Sequence, residues 1–93
     1  MNYIDKLAAT IESNLTEDDR PGDRDTELYR LYALLALVKG AEVTLADVHN
    51  AWSVWMAGDQ PDHPALVPFA ELDVAQRLQD EPYAIAIRQA ARA

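Results

Sequence analysis

Residues 28–38 read LYRLYALLALV, and this run decides the fold. Arg30 is its only charged residue. At 100° per residue, one helical face carries Leu28, Leu31, Tyr32, Leu35 and Val38. The remaining faces carry mostly apolar side chains as well, and a helix that is apolar all round is buried on all sides. The pattern predicts a central helix over residues 26–39, with self-association of the chain as the alternative way to cover it.

Turn and capping signals bound this helix. We expect Asp25 to cap its start and Gly40 to end it. Upstream, the apolar spacing over residues 3–15 predicts a first helix with Asn2 as its cap. The segment between the two helices, residues 16–27, reads TEDDRPGDRDTE and carries a net charge of −4. Its charge and its central Pro-Gly pair predict a loop, either solvated or docking a basic partner.

A third helix is predicted downstream, ending near Ala57 before Gly58. Thr44 and Asp47 form a capping-box pattern at its start. One face of this helix carries Leu45, Val48, Trp52, Trp55 and Met56. This stripe predicts core packing, and the two tryptophans are alternatively anchors of an interface. We expect His49, on the same helix, to be partly exposed.

Residues 59–72 read DQPDHPALVPFAEL, and their three prolines exclude a regular helix. The apolar residues among them predict an ordered loop that fills the gap between the tryptophan-bearing helix and the last helix. The structural motif of this loop comprises His63, Pro64, Leu66, Val67, Pro68, Phe69 and Leu72. We expect His63 to hydrogen-bond the backbone of the loop. The loop side chains are alternatively ligand contacts.

Two further helical segments complete the chain. Asp73 and Gln76 predict a capped helical turn over residues 74–79. A last helix is expected over residues 81–92, with Asp80 as its cap and a proline in its first turn. No segment alternates with period two, so strands are not expected. The sequence predicts a single all-α domain over residues 1–93, with about four helices and an ordered proline-rich loop over residues 59–72.

Composition narrows the function classes. The net charge of −8 argues against nucleic-acid binding, and the helix-turn-helix-like pairing of the second and third helices offers no basic residue on its recognition helix. The chain contains no cysteine and no recognisable nucleophile or phosphate-loop motif. His49 and His63 lack a metal-ligand spacing. We therefore expect no catalytic residue, no cofactor and no metal. Without a signal peptide or a bilayer-length apolar run, we also expect no membrane insertion and a cytoplasmic location.

The second half of the chain resembles a known family. The stretch VHNAW (residues 48–52), the stretch DHPALVPFAEL (residues 62–72), Asp80 and the Ile85–Arg88 segment are similar to the ryanodine-receptor repeat-like domain. The resemblance covers residues 45–92, and Phe69 stands where that family usually has tyrosine. It implies a small-ligand, nucleotide-like sensing module. The corresponding pocket would be lined by Trp52, His63 and Phe69.

The whole chain also resembles short acidic proteins of actinobacterial phages, especially mycobacteriophages, which carry the same HPxLVPF segment. This resemblance implies a non-enzymatic protein that binds a host protein in the host cytoplasm during lytic growth, with a DivIVA-like coiled coil as the candidate partner. The candidate partner-binding residues are Asp18 and Asp19 in the acidic loop, Tyr29, Ala33 and Leu37 on the exposed side of the second helix, and Trp52 and Trp55. The small-ligand module and a homodimeric structural protein are the alternatives.

Overall fold

The central helix predicted from residues 28–38 is present, and its limits agree with the prediction. The computed structural model describes residues 2–16 and 26–92. Their α-helices are α1 (Tyr3–Ser13), α2 (Thr26–Lys39), α3 (Leu45–Asp59), α4 (Val74–Leu78) and α5 (Glu81–Arg92), with 3-10 turns at Gly40–Glu42 and Phe69–Glu71. No strand occurs among these residues, so the small all-α fold is confirmed.

Helix α2 packs against α1, α3 and α5, and the core lies between these four helices. Fully buried side chains from each of them meet there: Ile11, Tyr32, Val48 and Ile87. Because each helix contributes one apolar stripe to the same volume, the helices bury most of their hydrophobic surface together. None of the helices in the described ranges is long and apolar enough to cross a bilayer.

The prediction that α2 is buried on all sides was wrong. Leu34, Leu37 and Val38 are exposed, because α1, α3 and α5 cover only one side of the helix. The buried face carries Tyr29 and Ala33 instead. A small side chain such as Ala33 lets a neighbouring helix approach closely, and this favours packing on that face over the bulkier leucine face.

Three predicted helix starts are confirmed by their hydrogen bonds. The Asn2 side chain accepts from the Asp5 backbone N–H at 2.8 Å. Reciprocal capping boxes begin the later helices, Thr44 with Asp47 before α3 and Asp73 with Gln76 before α4. These side chains pair backbone groups that a helix leaves without intrahelical partners. The predicted cap of α2, Asp25, lies outside the described residues.

Two predicted helix ends were wrong. Helix α1 stops at Ser13 rather than near residue 15, and α3 continues through Gly58 to Asp59. Gly40 does end α2, with φ +61° in the left-handed region that glycine adopts at little cost. Gly58 has no positive φ, so it serves as an ordinary helical residue.

Helix α5 is held in place by side chains that donate to distant backbone carbonyls. The Arg88 Nε–H donates to the Val43 carbonyl at 2.7 Å. The Asn14 amide donates to the Ala86 carbonyl at 3.1 Å. Since these bonds join both the end of α1 and the turn after α2 to α5, they fix the last helix against the rest of the fold.

Candidate functional site

The proline-rich loop between α3 and α4 is fastened to α3 by a buried histidine. The His49 Nε2–H donates to the Val67 carbonyl at 2.7 Å, because a carbonyl oxygen can only accept. His49 is 3% exposed, so the prediction of a partly exposed side chain was wrong. The loop covers this face of α3 and thereby buries the imidazole.

A second histidine, His63, forms a hydrogen bond within the proline-rich loop. The His63 Nδ1 accepts from the Ala65 backbone N–H at 3.0 Å, which confirms the predicted backbone hydrogen bond. Its ring meets Trp52 edge-on, with centroids 5.2 Å apart. Trp52 also stacks on His49 at 5.7 Å. The two imidazoles therefore hold the Trp52 indole in one orientation.

Phe69 lies on the outer side of this arrangement. Its ring is 6.2 Å from that of His49, and the Arg77 guanidinium carbon lies 5.4 Å from the Phe69 centroid. The Arg77 Nη2 donates to the Ala70 carbonyl at 2.6 Å. Helix α4 thus clamps the end of the loop through one arginine. In the rest of the predicted loop motif, Leu72 is buried, Leu66 and Val67 are partly buried, and Pro64 and Pro68 are exposed.

The sequence predicted that the loop fills the gap between α3 and α5, and this prediction was wrong. A cavity of about 610 Å³ occupies that gap. Four aromatic side chains line it: Tyr32, Trp52, Trp55 and Tyr83. Its polar wall is formed by His49, His63, Gln76, Gln79 and Asp80. We call this volume the aromatic cavity. The prediction of a pocket lined by Trp52 and His63 is confirmed, but Phe69 does not line it because its ring lies between His49 and Arg77.

Asp80 is the site residue that the sequence did not place in the pocket, since it was predicted as a helix cap and otherwise counted only as part of the ryanodine-repeat resemblance. It immediately precedes α5, and its backbone carbonyl accepts from the Ala84 N–H at 3.0 Å. The Oδ2 of its carboxyl group is buried and accepts no hydrogen bond in the described part of the chain. Burial raises the pKa of Asp80 to about 6, and the nearby His49 opposes that rise.

The residues predicted to bind a partner do not form one surface. Tyr29 is 5% exposed and Ala33 is 0% exposed, so neither is available to a partner, which corrects the prediction. Leu37 is exposed at the edge of the buried face, roughly 40° around α2 from Ala33. Trp52 and Trp55 are partly buried and line the aromatic cavity. Asp18 and Asp19 lie outside the described residues.

Within residues 2–16 and 26–92, no group of three or more His, Cys, Asp or Glu residues could hold a metal ion.

Comparisons with known proteins identify a family for this chain but no activity. No curated protein and no solved structure matches the chain. The phage origin and the ryanodine-repeat resemblance therefore stay predictions. A family model described as a domain of unknown function, DUF7701, matches residues 2–92, and the chain belongs to that family.

Proposed function

We propose that the protein is a non-catalytic binding domain for a small, planar organic molecule, which occupies the aromatic cavity. The cavity itself carries this proposal. At about 610 Å³ it lies within the range of about 300–1,000 Å³ that is typical of ligand sites. Its wall combines aromatic and aliphatic side chains with polar groups, as such sites do.

The framework around the cavity supports a preformed site. The His49–Val67 and His63–Ala65 hydrogen bonds fix the loop, and the Asp73–Gln76 capping box fixes α4. A site held by such contacts orders few side chains when a ligand enters, so less conformational entropy opposes binding.

The same hydrogen bonds favour binding over catalysis. One ring nitrogen of His49 and one of His63 are engaged with the backbone of the loop. Both imidazoles also contact the Trp52 ring. Their positions are accounted for by holding the loop and the indole in place, which is a framework role rather than that of a paired acid and base.

The first experiment is a titration of the ¹⁵N-labelled protein with tryptophol, a neutral indole alcohol, followed by NMR. We expect saturable shifts of the Trp52 and Trp55 indole N–H signals. The Trp52→Ala variant is expected to bind at least about tenfold more weakly, because a stacking partner is lost, whereas Trp52→Phe retains most of the affinity.

Val54→Ala is the matched control, since Val54 is exposed on the same helix. Its affinity for tryptophol should equal that of the unmodified protein. If tryptophol, tryptamine and indoleacetate all leave the indole signals unmoved at millimolar concentration, the cavity is not a site for planar ligands.

Host-protein binding is a second candidate function, favoured by one observation. Leu34, Leu37 and Val38 form an exposed apolar stripe on α2, and such a stripe can lie against a partner helix. A coiled coil of the DivIVA type offers a surface of that kind. Changing Leu34 and Leu37 to serine should abolish co-purification with this partner, whereas Val54→Ala should not. Association of the protein with itself, lost in the same variant, would identify the stripe as a homodimer interface.

A further inference from the structure

We propose that the ligand of the aromatic cavity is an organic cation, an amine attached to a planar ring, with its ammonium group held by the carboxylate of Asp80. This inference rests on the proposed function and names the chemical class of the ligand. It is carried by the carboxyl group of Asp80, which lines the cavity with the aromatic rings and whose Oδ2 has no hydrogen-bond partner among the described residues.

The charge of the residues that line the aromatic cavity favours a cationic ligand. Asp80 is the one acidic or basic residue, histidines aside, among the described residues that line the cavity. Its Oδ2 is buried and has no hydrogen-bond partner within residues 2–16 and 26–92. A buried oxygen of this kind retains a desolvation cost that a donor from a bound ligand would offset.

The neighbouring basic side chains form no ion pair with Asp80 in the described ranges, although the Nε of Arg77 is itself buried there without a hydrogen-bond partner. The Arg77 guanidinium donates to the Ala70 carbonyl and lies over the Phe69 ring. Arg88 donates to the Val43 carbonyl. The ion pairs of the described residues join Arg30 to Asp5 and Lys39 to Asp47, and none includes Asp80. Among residues 2–16 and 26–92, no arginine or lysine therefore forms an ion pair with this carboxylate.

The ionisation of Asp80 is consistent with a vacant cation position. Burial raises the pKa of Asp80 to about 6, so the group is ionised at neutral pH despite its half-buried position. A carboxylate that lies in a cleft and bears a desolvation cost is a candidate functional-site residue. An ammonium group beside Asp80 would stabilise the ionised form.

Aromatic rings complete a site for a cation. The faces of Trp52, Trp55 and the two tyrosines carry negative quadrupole charge, which attracts ammonium groups. Tyr32 and Tyr83 lie with their ring centroids 5.7 Å apart, so they act as one wall. The net charge of −8 also attracts cations toward the protein.

A series of indoles that share the ring and differ in charge tests the inference. The probes are tryptamine, tryptophol and indoleacetate, which are cationic, neutral and anionic. Affinities come from the same NMR titrations at pH 7.5. We expect tryptamine to bind about tenfold more tightly than tryptophol, because one charged hydrogen bond is added, and indoleacetate to bind more weakly than both.

The Asp80→Asn variant isolates the carboxylate. It should lose the preference for tryptamine, so that tryptamine and tryptophol bind it with similar affinities. Glu81→Gln is the matched control, because it removes the same charge from the next residue, which is exposed and does not line the cavity. This control should keep the preference.

The outcomes separate the two proposals. Tryptophol binding without any preference for tryptamine overturns the cation assignment and leaves the proposed function in place. A preference for indoleacetate would show that the imidazoles of His49 and His63 dominate the wall as an anion site. Equal loss of the preference in Asp80→Asn and Glu81→Gln would assign it to the general negative charge. Failure of all three indoles to bind contradicts the proposed function itself.

Discussion

One side of this molecule is a tightly packed set of helices, and the other side contains a cavity with polar groups in its wall. On the packed side, α1, α2 and α5 meet through apolar stripes, and Ile11, Ala33 and Ile87 are fully buried. On the cleft side, α3, the proline-rich loop, α4 and the start of α5 surround the aromatic cavity, which contains imidazoles and a carboxyl group. The packed side therefore provides stability, while the cleft side gives up some stability to keep polar groups and open volume inside.

The largest expected effect lies on the packed side. Ile87→Ala should lower the free energy of unfolding by about 3 kcal/mol, because it removes a fully buried side chain and leaves a hole. The measurement is urea denaturation followed by far-UV circular dichroism. Ile85→Ala, at an exposed position of the same helix, should change it by less than about 0.5 kcal/mol. Similar losses in both variants would mean that α5 does not pack as described.

The next effect has the opposite sign and lies on the cleft side. Asp80→Asn should raise the free energy of unfolding at pH 7.5 by about 1–2 kcal/mol. The pKa of Asp80 is raised from 3.8 to about 6, and the figure is reduced because the group is only half-buried. Destabilisation by this substitution would show that the carboxylate has a partner in the folded protein, such as Arg77.

The pH dependence of this difference follows from the same shift. An acid whose folded-state pKa is raised binds its proton more tightly in the folded protein. Its contribution to stability is therefore complete below about pH 4 and is lost as the pH rises through about 6. The stability gap between Asp80→Asn and the unmodified protein should vanish near pH 4 and open by pH 7. Urea titrations across this range provide the measurement, and a constant gap would exclude Asp80 as its source.

Gly40, which ends α2, and Gly58, which lies within α3, form a matched pair. Smaller changes in stability are expected when they are replaced. Gly40→Ala should cost about 1 kcal/mol, because φ is +61° and a side chain is strained there even though nothing crowds it. Gly58→Ala should instead gain up to about 1 kcal/mol, since the residue is helical and its Cβ would meet open space. Thermal unfolding of both variants checks the signs, and equal signs would contradict the assigned helix ends.

The smallest effect is expected at the surface of the packed side. Arg30 pairs with Asp5 at 2.8 Å, and this hydrogen bond lowers the pKa of the Asp5 carboxyl. Arg30→Gln should leave the urea midpoint unchanged within error, because exposed ion pairs contribute little. An NMR titration should nevertheless show the pKa of Asp5 rising toward its ordinary value. No change in that pKa would mean that the pair does not form in solution.

Local sequence signals predicted the helices well and the surfaces poorly. The Thr44–Asp47 and Asp73–Gln76 capping boxes and the Gly40 stop signal each act within a few residues, so they could be read without the fold. Which face of α2 is buried could not, because Tyr29 and Val38 are both apolar and only the positions of the other helices select between their faces.

The cleft side shows the same division. The sequence predicted an ordered loop, because prolines and apolar residues are interspersed there. It also predicted that Trp52 and His63 line a pocket, because the resemblance implied one. It did not predict that His49 would be buried or that Asp80 would line the cavity. Both depend on contacts between segments distant in the chain, and no local pattern distinguishes Asp80 from an ordinary helix cap.

Helical period, capping and turn chemistry are properties of neighbouring residues, so they were enough to predict the all-α class, the central position of α2 and the limits of several helices. The packing of the helices settles which apolar face of α2 is covered and leaves a cavity beside the loop. It also brings Asp80, whose Oδ2 has no hydrogen-bond partner among the described residues, into the same wall as the aromatic rings. The physical reason is that burial and partnership are properties of the assembled helices, and the same side chain is core, surface or ligand wall according to what packs beside it.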